Sequence, residues 1–239
     1  MRVVISQSMY FPWVGLLEQV RTADVFVHYD DVQLARGFYN RVQVKTEHGT
    51  PWLTVPLRDQ HRGQRIDETK IDDRVDWRSQ HRDILRLAYR HAPFQRDMLL
   101  LVDGVFAREF ANLSELARAS TLALAEYFDI APKAGYLDSV GLNIEGRSSQ
   151  RLLDIVTSVG GTQYVTGHGA RNYLDHEMFE RARVAVEYMN YRSLAYAQLH
   201  GAFTPFVTGL DLVANCGREG VEVIVSDSVD WRSFVSQPA

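Results

Sequence analysis

"RVVISQSMYFPWVGLLEQVRTADVFVHYDD" (residues 2–31) decides the fold. "RVVIS" is a short apolar run of strand type. "VGLLEQVRTA" places Val14, Leu17 and Val20 at helical spacing, and "DVFVHY" returns to strand character. The order is β-loop-α-β, a unit that joins neighbouring parallel strands by a right-handed crossover and brings both strand ends to one edge of the sheet. Gln7 and the acidic pair Asp30-Asp31 therefore belong at the same edge. Between the first strand and the helix stand Tyr10, Phe11, Pro12 and Trp13 rather than a glycine-rich phosphate loop.

The same alternation recurs further along the chain. "RVQVKT" (41–46) and "WLTVPL" (52–57) read as two strands joined by the turn chemistry of "EHGTP". From residue 77 the period becomes helical. Trp77, His81, Ile84, Leu85 and Ala88 form an apolar stripe that Pro93 closes, and Arg78, Arg82, Arg86 and Arg90 form a second row. "MLLLVDGVFAREF" continues the helical stretch, and "NLSELARASTLALAEYFDI" follows with Asn112 or Ser114 as cap. "SSQRLLDIVTSVGG" is a helix closed by Gly160-Gly161. A strand "TQYVTG", the loop "GHGARNYL" (167–174), a helix near "DHEMFERA" and a strand "VAVEYMNY" come next, and "TGLDLVANCG" is the last recognisable helix. The expectation is one α/β domain over residues 1–239, with a Rossmann-like, mostly parallel sheet and a mainly helical insertion at about 77–135.

Composition removes several functional classes. With 239 residues, 46% of them hydrophobic, the chain can bury a sizeable core. A net charge of -4 offers no global field for nucleic acid or acidic lipid, and the arginine row lacks interleaved aromatics, so a nucleic-acid partner is not expected. Cys216 is the only cysteine, the N-terminus lacks the apolar stretch of a secretory signal, and no run is long enough to span a bilayer. These features point to the cytoplasm. The oligomeric state is left open.

Ligands of open α/β sheets bind beyond the carboxyl ends of the strands. Asp30 and Asp31 are accordingly candidate catalytic groups, as a general base or as oxygen ligands to Mg²⁺ or Mn²⁺, against the plainer reading of a turn or helix cap. His28 and His168 also fall near strand ends. Gln7, Tyr10, Trp13, Gln33, Asn40, Arg41, Gly167, Arg171 and Asn172 are candidate substrate contacts. Trp13 and Tyr10 would supply aromatic walls, with core packing as the alternative, while Gly167 and Arg171 would meet an anion unless the two loop glycines simply supply positive φ. Neither G-x-x-x-x-G-K-[ST] nor G-x-G-x-x-G occurs. Cys216 is an alternative nucleophile if a histidine activates it, although a helix C-terminus disfavours the thiolate.

The blocks "QSMYFPWVGLLEQVRTADVFVHYDDVQ", "TGHGARNYLD" and "TPFVTGLDLVANCG" resemble, in this order, those of the WbqC-like family, roughly over residues 3 to 217. Gln7, Tyr10, Pro12, Trp13, Gly15, Asp30, Asp31, Val32, Gln33, Arg171, Asn172, Tyr173 and Leu174 match the family pattern. Ser8 stands in place of its usual proline, and His168-Gly169-Ala170 replaces a glycine-richer loop. The resemblance implies work on activated or amino sugars in surface-polysaccharide or O-antigen biosynthesis. The expected function is a cytoplasmic transferase acting on a nucleotide-linked or amino sugar, transfer being favoured over hydrolysis. The alternatives are a thiol-dependent amidohydrolase or acyltransferase using Cys216, and a noncatalytic sugar- or protein-binding subunit. The opening also resembles that of HIGH-motif nucleotidylyltransferases, but the two histidines, which would fall near Pro12 and Leu16, are missing.

Overall fold

A computed structural model describes residues 1–35, 37–225 and 227–237. The chain runs β1 (Arg2–Ser6), α1 (Val14–Thr22), β2 (Val25–His28), β3 (Arg41–Gln43), β4 (Trp52–Thr54), β5 (Leu57–Arg58) and β6 (Lys70–Ile71). Three helices follow, α2 (Trp77–Ala88), α3 (Gln95–Phe106) and α4 (Leu113–Tyr127). Then come β7 (Tyr136–Asp138), α5 (Ser148–Ser158), β8 (Gln163–Thr166), α6 (His176–Arg181), β9 (Ala185–Met189), α7 (Gly209–Cys216), β10 (Ser228–Asp230) and α8 (Trp231–Val235).

The central sheet has the order β10-β9-β8-β1-β2-β7. Its strands are parallel except β10, which pairs antiparallel with β9. Period-two alternation sends successive side chains to opposite faces. Val4, Phe26 and Val165 pack with α1, α4 and α7, whereas Val3, Ile5, Val25, Val27 and Tyr164 pack with α5 and α6. The winding reverses beside β1. Connections through α1 and α4 build outward to β2 and β7 on one face, and those through α5 and α6 build to β8 and β9 on the other. The gap between the ends of β1 and β8 is thus the topological switch point of the sheet, the place where such folds leave a crevice.

Local chemistry accounts for several boundaries. The Asn112 carboxamide, rather than Ser114, caps α4 by accepting the Glu115 amide proton. Gly160, at φ 74°, ends the turn after α5, as the glycine pair predicts. The run 52–57 is not one strand. It divides at Pro56, with β4 pairing with β3 and β5 with β6, because proline supplies no ladder donor. In α2, Trp77, His81, Leu85 and Ala88 are buried, whereas Ile84 stays 39% exposed at the edge of the stripe. The arginine row is largely paired: Arg78 with Asp73, Arg82 with Asp103 and Arg86 with Asp83. Among the described residues no helix is long and apolar enough to cross a membrane.

Candidate functional site

The loop that leaves β1 is pinned from several directions. The Phe11 amide donates to Ser120 Oγ at 2.8 Å, its carbonyl accepts from Thr208 Oγ1 at 2.8 Å, and its φ is 38°. Tyr10 is fully enclosed, with its hydroxyl 3.0 Å from His81 Nδ1, and Tyr10 and Phe11 both belong to the core shared with α2 and α4. Trp13 behaves differently. It opens α1, and its indole folds back over Gly15, where a Cβ would lie 2.2 Å from the ring. Gly15 is therefore what lets Trp13 lie flat at the sheet edge. Of these aromatics, Tyr10 and Phe11 are packing, while Trp13 walls a cavity.

The acidic pair after β2 is held by arginines from distant elements. Asp30 is fully buried and accepts from the Ser8 amide and Ser8 Oγ, each at 2.8 Å, and from Arg118 Nε at 2.6 Å. Arg118 also forks onto Asp138 at the end of β7. Because the Ser8 hydroxyl proton goes to Asp30, His28 Nδ1, 2.9 Å from Ser8 Oγ, must carry hydrogen and donate. Burial, reinforced by Arg118 and opposed by Asp138, lowers His28 to about 4, so the ring is neutral at pH 7. Burial also raises Asp30, against the Ser8 amide and Arg118. Asp31 accepts from Ser139 Oγ at 2.6 Å and pairs with Arg151. For Asp31 burial pushes upward, but the bonds from Arg151 and Ser139 outweigh it and the carboxyl is lowered.

Beside this network, at the switch point, lies a cavity of about 900 Å³. Ser6 and Gln7 from the end of β1 and Thr166, Gly167, His168 and Gly169 from the end of β8 form its floor. Trp13, Tyr29, Phe38, Tyr173, Tyr191 and Phe206 form aromatic walls. Trp13 contacts Tyr191 and Phe206 at centroid distances of 5.3 and 5.5 Å. His168 leans on Tyr191 and Phe234, and its Nε2 lies 2.7 Å from the Met189 carbonyl oxygen. A carbonyl only accepts, so Nε2 carries a proton, and in the neutral ring the lone pair sits on Nδ1. Gly167 is closely packed, since a Cβ there would stand 3.1 Å from Tyr191 Oη and 3.3 Å from Gln19 Nε2, whereas a Cβ on Gly169 would meet nothing within 4 Å. Neither glycine has positive φ, so the positive-φ account of this loop does not hold.

The model of the WbqC-like protein family matches residues 7–223, which include the switch-point loops, the Asp30-Asp31 pair and α7. The chain belongs to the WbqC-like family. It is also 32% identical over 227 residues to uncharacterized protein Rv1507c of Mycobacterium tuberculosis (strain ATCC 25618 / H37Rv), a similarity covering 93% of this chain and 97% of that protein. No solved structure matches the chain.

Within this WbqC-like chain the remaining candidates divide. Gln7 lines the cavity, and its carboxamide has no hydrogen-bond partner among the described residues. Gln33 is exposed and bridges to Arg65. Asn40 donates to the Val55 carbonyl and receives the Val55 amide, and so holds the segment that follows β4. The Arg41 guanidinium lies over Trp52 and donates to the Gly37 carbonyl. Arg171 donates to the Val235 and Gln237 carbonyls and lies over Phe234, so it anchors the C-terminal helix. Asn172 is exposed. Cys216, half-buried at the end of α7, is raised by burial and then by Asp211 and Glu219. Among the described residues no group of three or more His, Cys, Asp or Glu side chains is assembled to hold a metal ion.

Sequence reasoning missed Tyr29, Phe38, Tyr191 and Phe206 as cavity walls, and Arg118 and Arg151 as the partners of the aspartates. Tyr29 was open to discovery, since it directly follows β2 at the edge already singled out. Phe206 and the two arginines carry no local signal.

Proposed function

We infer that this WbqC-like chain is a cytoplasmic transferase acting on a sugar compound, nucleotide-linked or amino-substituted, in polysaccharide or related biosynthesis. The observation that carries the reading is the aromatic cavity at the switch point, with His168 on its floor and Nδ1 free to accept a proton. Aromatic faces suit the C–H face of a sugar ring or the plane of a base, and carboxamide and hydroxyl groups suit its polar edge. His168 takes the proton from an acceptor hydroxyl or amine as that atom bonds to the activated carbon of the donor, whose leaving group departs with the bonding pair. Asp30 and Asp31 fix the strand ends through Arg118 and Arg151 and act on the site by position. The helices at about 77–135 are an insertion that supplies Arg118.

The test is a panel of nucleotide sugars and acyl donors with sugar acceptors, both free-amino and N-acylated, read by mass spectrometry for a transferred group. The expected result is a product that falls at least about 100-fold in His168→Gln, with the thermal midpoint and ligand affinity retained. Hydrolysis without transfer, or full turnover in His168→Gln, defeats the reading. The commitment of both aspartates to arginines favours, as second reading, a noncatalytic sugar-binding subunit, which would bind ligand and turn nothing over.

A further inference from the structure

The cavity carries a more specific message about what it accepts. Among the described residues lining it, none is Asp, Glu, Lys or Arg. Its polar side chains include neutral amides and hydroxyls, from Ser6, Gln7, Gln19, Thr166 and Ser193, beside the hydroxyls of the lining tyrosines and the His168 ring. Some of these are already committed: Gln19 Nε2 donates to Tyr191 Oη at 2.5 Å, and Thr166 Oγ1 accepts from Tyr164 Oη at 3.3 Å. Gln7 is not committed, and offers both an amide donor and a carbonyl acceptor into the space. Two nearby arginines among the described residues are turned elsewhere, with Arg151 held by Asp31 and Arg171 by carbonyls of the C-terminal segment.

We propose that the group entering this cavity is an uncharged, hydroxyl- and amide-bearing ring, of the N-acylated sugar class, and that free amino sugars, uronic acids and phosphate groups are refused entry. The proposal rests on the small-molecule reading above and narrows it. An ion placed among aromatic walls loses its hydration and finds no counter-charge among the described lining residues. A neutral N-acyl sugar loses far less and can exchange two hydrogen bonds with the Gln7 carboxamide. Any diphosphate of a nucleotide-linked donor must then lie outside the cavity.

One carboxylate stands close enough to test the idea from the other side. Glu18 is 2% exposed, and its Oε2 has no partner. It faces a separate void of about 10 Å³, room for about one water, and the Trp13 and Tyr191 rings line both this void and the cavity. A cationic ligand would have to displace that aromatic wall to reach it.

Three ligands sharing one ring but differing in charge decide the matter: N-acetylglucosamine, glucosamine and glucuronic acid. Each is titrated into the full chain at pH 7 and followed by tryptophan fluorescence, with Trp13→Phe identifying the signal that comes from the cavity. N-acetylglucosamine is expected to bind at least about tenfold tighter than either charged ligand, with little change between about 50 and 500 mM salt. Gln7→Glu is expected to reverse the preference toward glucosamine, and Glu18→Gln to leave it unchanged. Tighter binding of glucosamine or glucuronic acid overturns the proposal, as does a loss of glucosamine binding in Glu18→Gln. Failure of all three to bind at about 50 mM overturns it too. Binding of N-acetylglucosamine without any transfer would defeat the transferase reading and leave this one standing; transfer with a charged-ring preference would do the reverse.

Discussion

The Asp30 carboxylate, fully buried, accepts the Nε proton of Arg118, a residue 88 positions later in the chain, at 2.6 Å. The bond joins the end of β2 to α4, and through Asp138 to the end of β7, so two strand ends and a helix are fixed by one guanidinium. Asp30→Asn would turn an amide N–H toward the Ser8 or Arg118 donors and leave Arg118 with only Asp138. Removing one partner of a buried pair costs about 3–5 kcal/mol, and the remaining carboxylate places this variant at the lower end. For a chain of this size the thermal midpoint should fall by about 5–10 °C. An unchanged or higher midpoint would show that the pair is kept against stability, and would return Asp30 to the list of acting groups.

Glu18 provides a pH test. Burial raises its carboxyl to about 7, against the Val225 amide. The unfolded chain ionises this group at its ordinary value near 4.5, so between about 4.5 and 7 the native state holds a proton that the unfolded state has released. Unfolding free energy therefore falls as pH rises through that window, and the penalty is complete above about 7. Glu18→Gln removes the titration. Its midpoint should exceed that of the wild type by more at pH 8 than at pH 5, and equal differences at the two pH values would place the ionised carboxylate in a better environment than its orphaned oxygen indicates.

The two loop glycines should respond differently to the same methyl group. At Gly169 a Cβ has open space and φ is not positive, so Gly169→Ala should change stability by less than about 0.5 kcal/mol. At Gly167 the Cβ presses on Tyr191 Oη and Gln19 Nε2, so Gly167→Ala should part that hydrogen bond and shift the Trp13 wall beside it. Melting curves and tryptophan emission of both variants check this. Identical behaviour would mean that Tyr191 yields freely.

Cys216 should alkylate slowly with iodoacetamide at pH 7 until the chain is unfolded, because burial and the carboxylates of Asp211 and Glu219 disfavour its thiolate. Cys216→Ala should keep whatever turnover is found. Fast native-state labelling, joined to loss of turnover at unchanged stability, would establish covalent thiol chemistry.

What could be read from the sequence follows the strength of local periodicity. Residues 2–31 carry two apolar strands around an amphipathic helix, and their parallel pairing, with Ser6 opposite His28, follows the expected order. β7 escaped notice because Tyr136, Leu137 and Asp138 make a three-residue edge strand with no buried member. β10 and α8 escaped for the same shortness. At the site, strand ends located Gln7, Trp13 and His168, but the roles of neighbouring residues turned on contacts from afar. Tyr10 and Trp13 differ by three positions, yet one is enclosed in the core and the other walls the cavity, and nothing local separates them. The pairing of Asp31 with Arg151 spans 120 positions and is visible only once the chain has folded.

The C-terminal segment has a practical side. Phe234 stacks on Tyr188 at 4.1 Å and supports one face of His168, and β10 shields the outer edge of β9. These supports lie beyond residue 223, the last residue of the family match, so the backing of a histidine inside the shared region is furnished from outside it. Protein clipped by a protease near residue 225 would keep the core around α1, α4 and α7 but lose Phe234 from the other, leave His168 held only by the Met189 carbonyl and Tyr191, and offer a raw sheet edge to other molecules. Intact mass, more than a clean melting curve, is the quality measure for preparations used in assays.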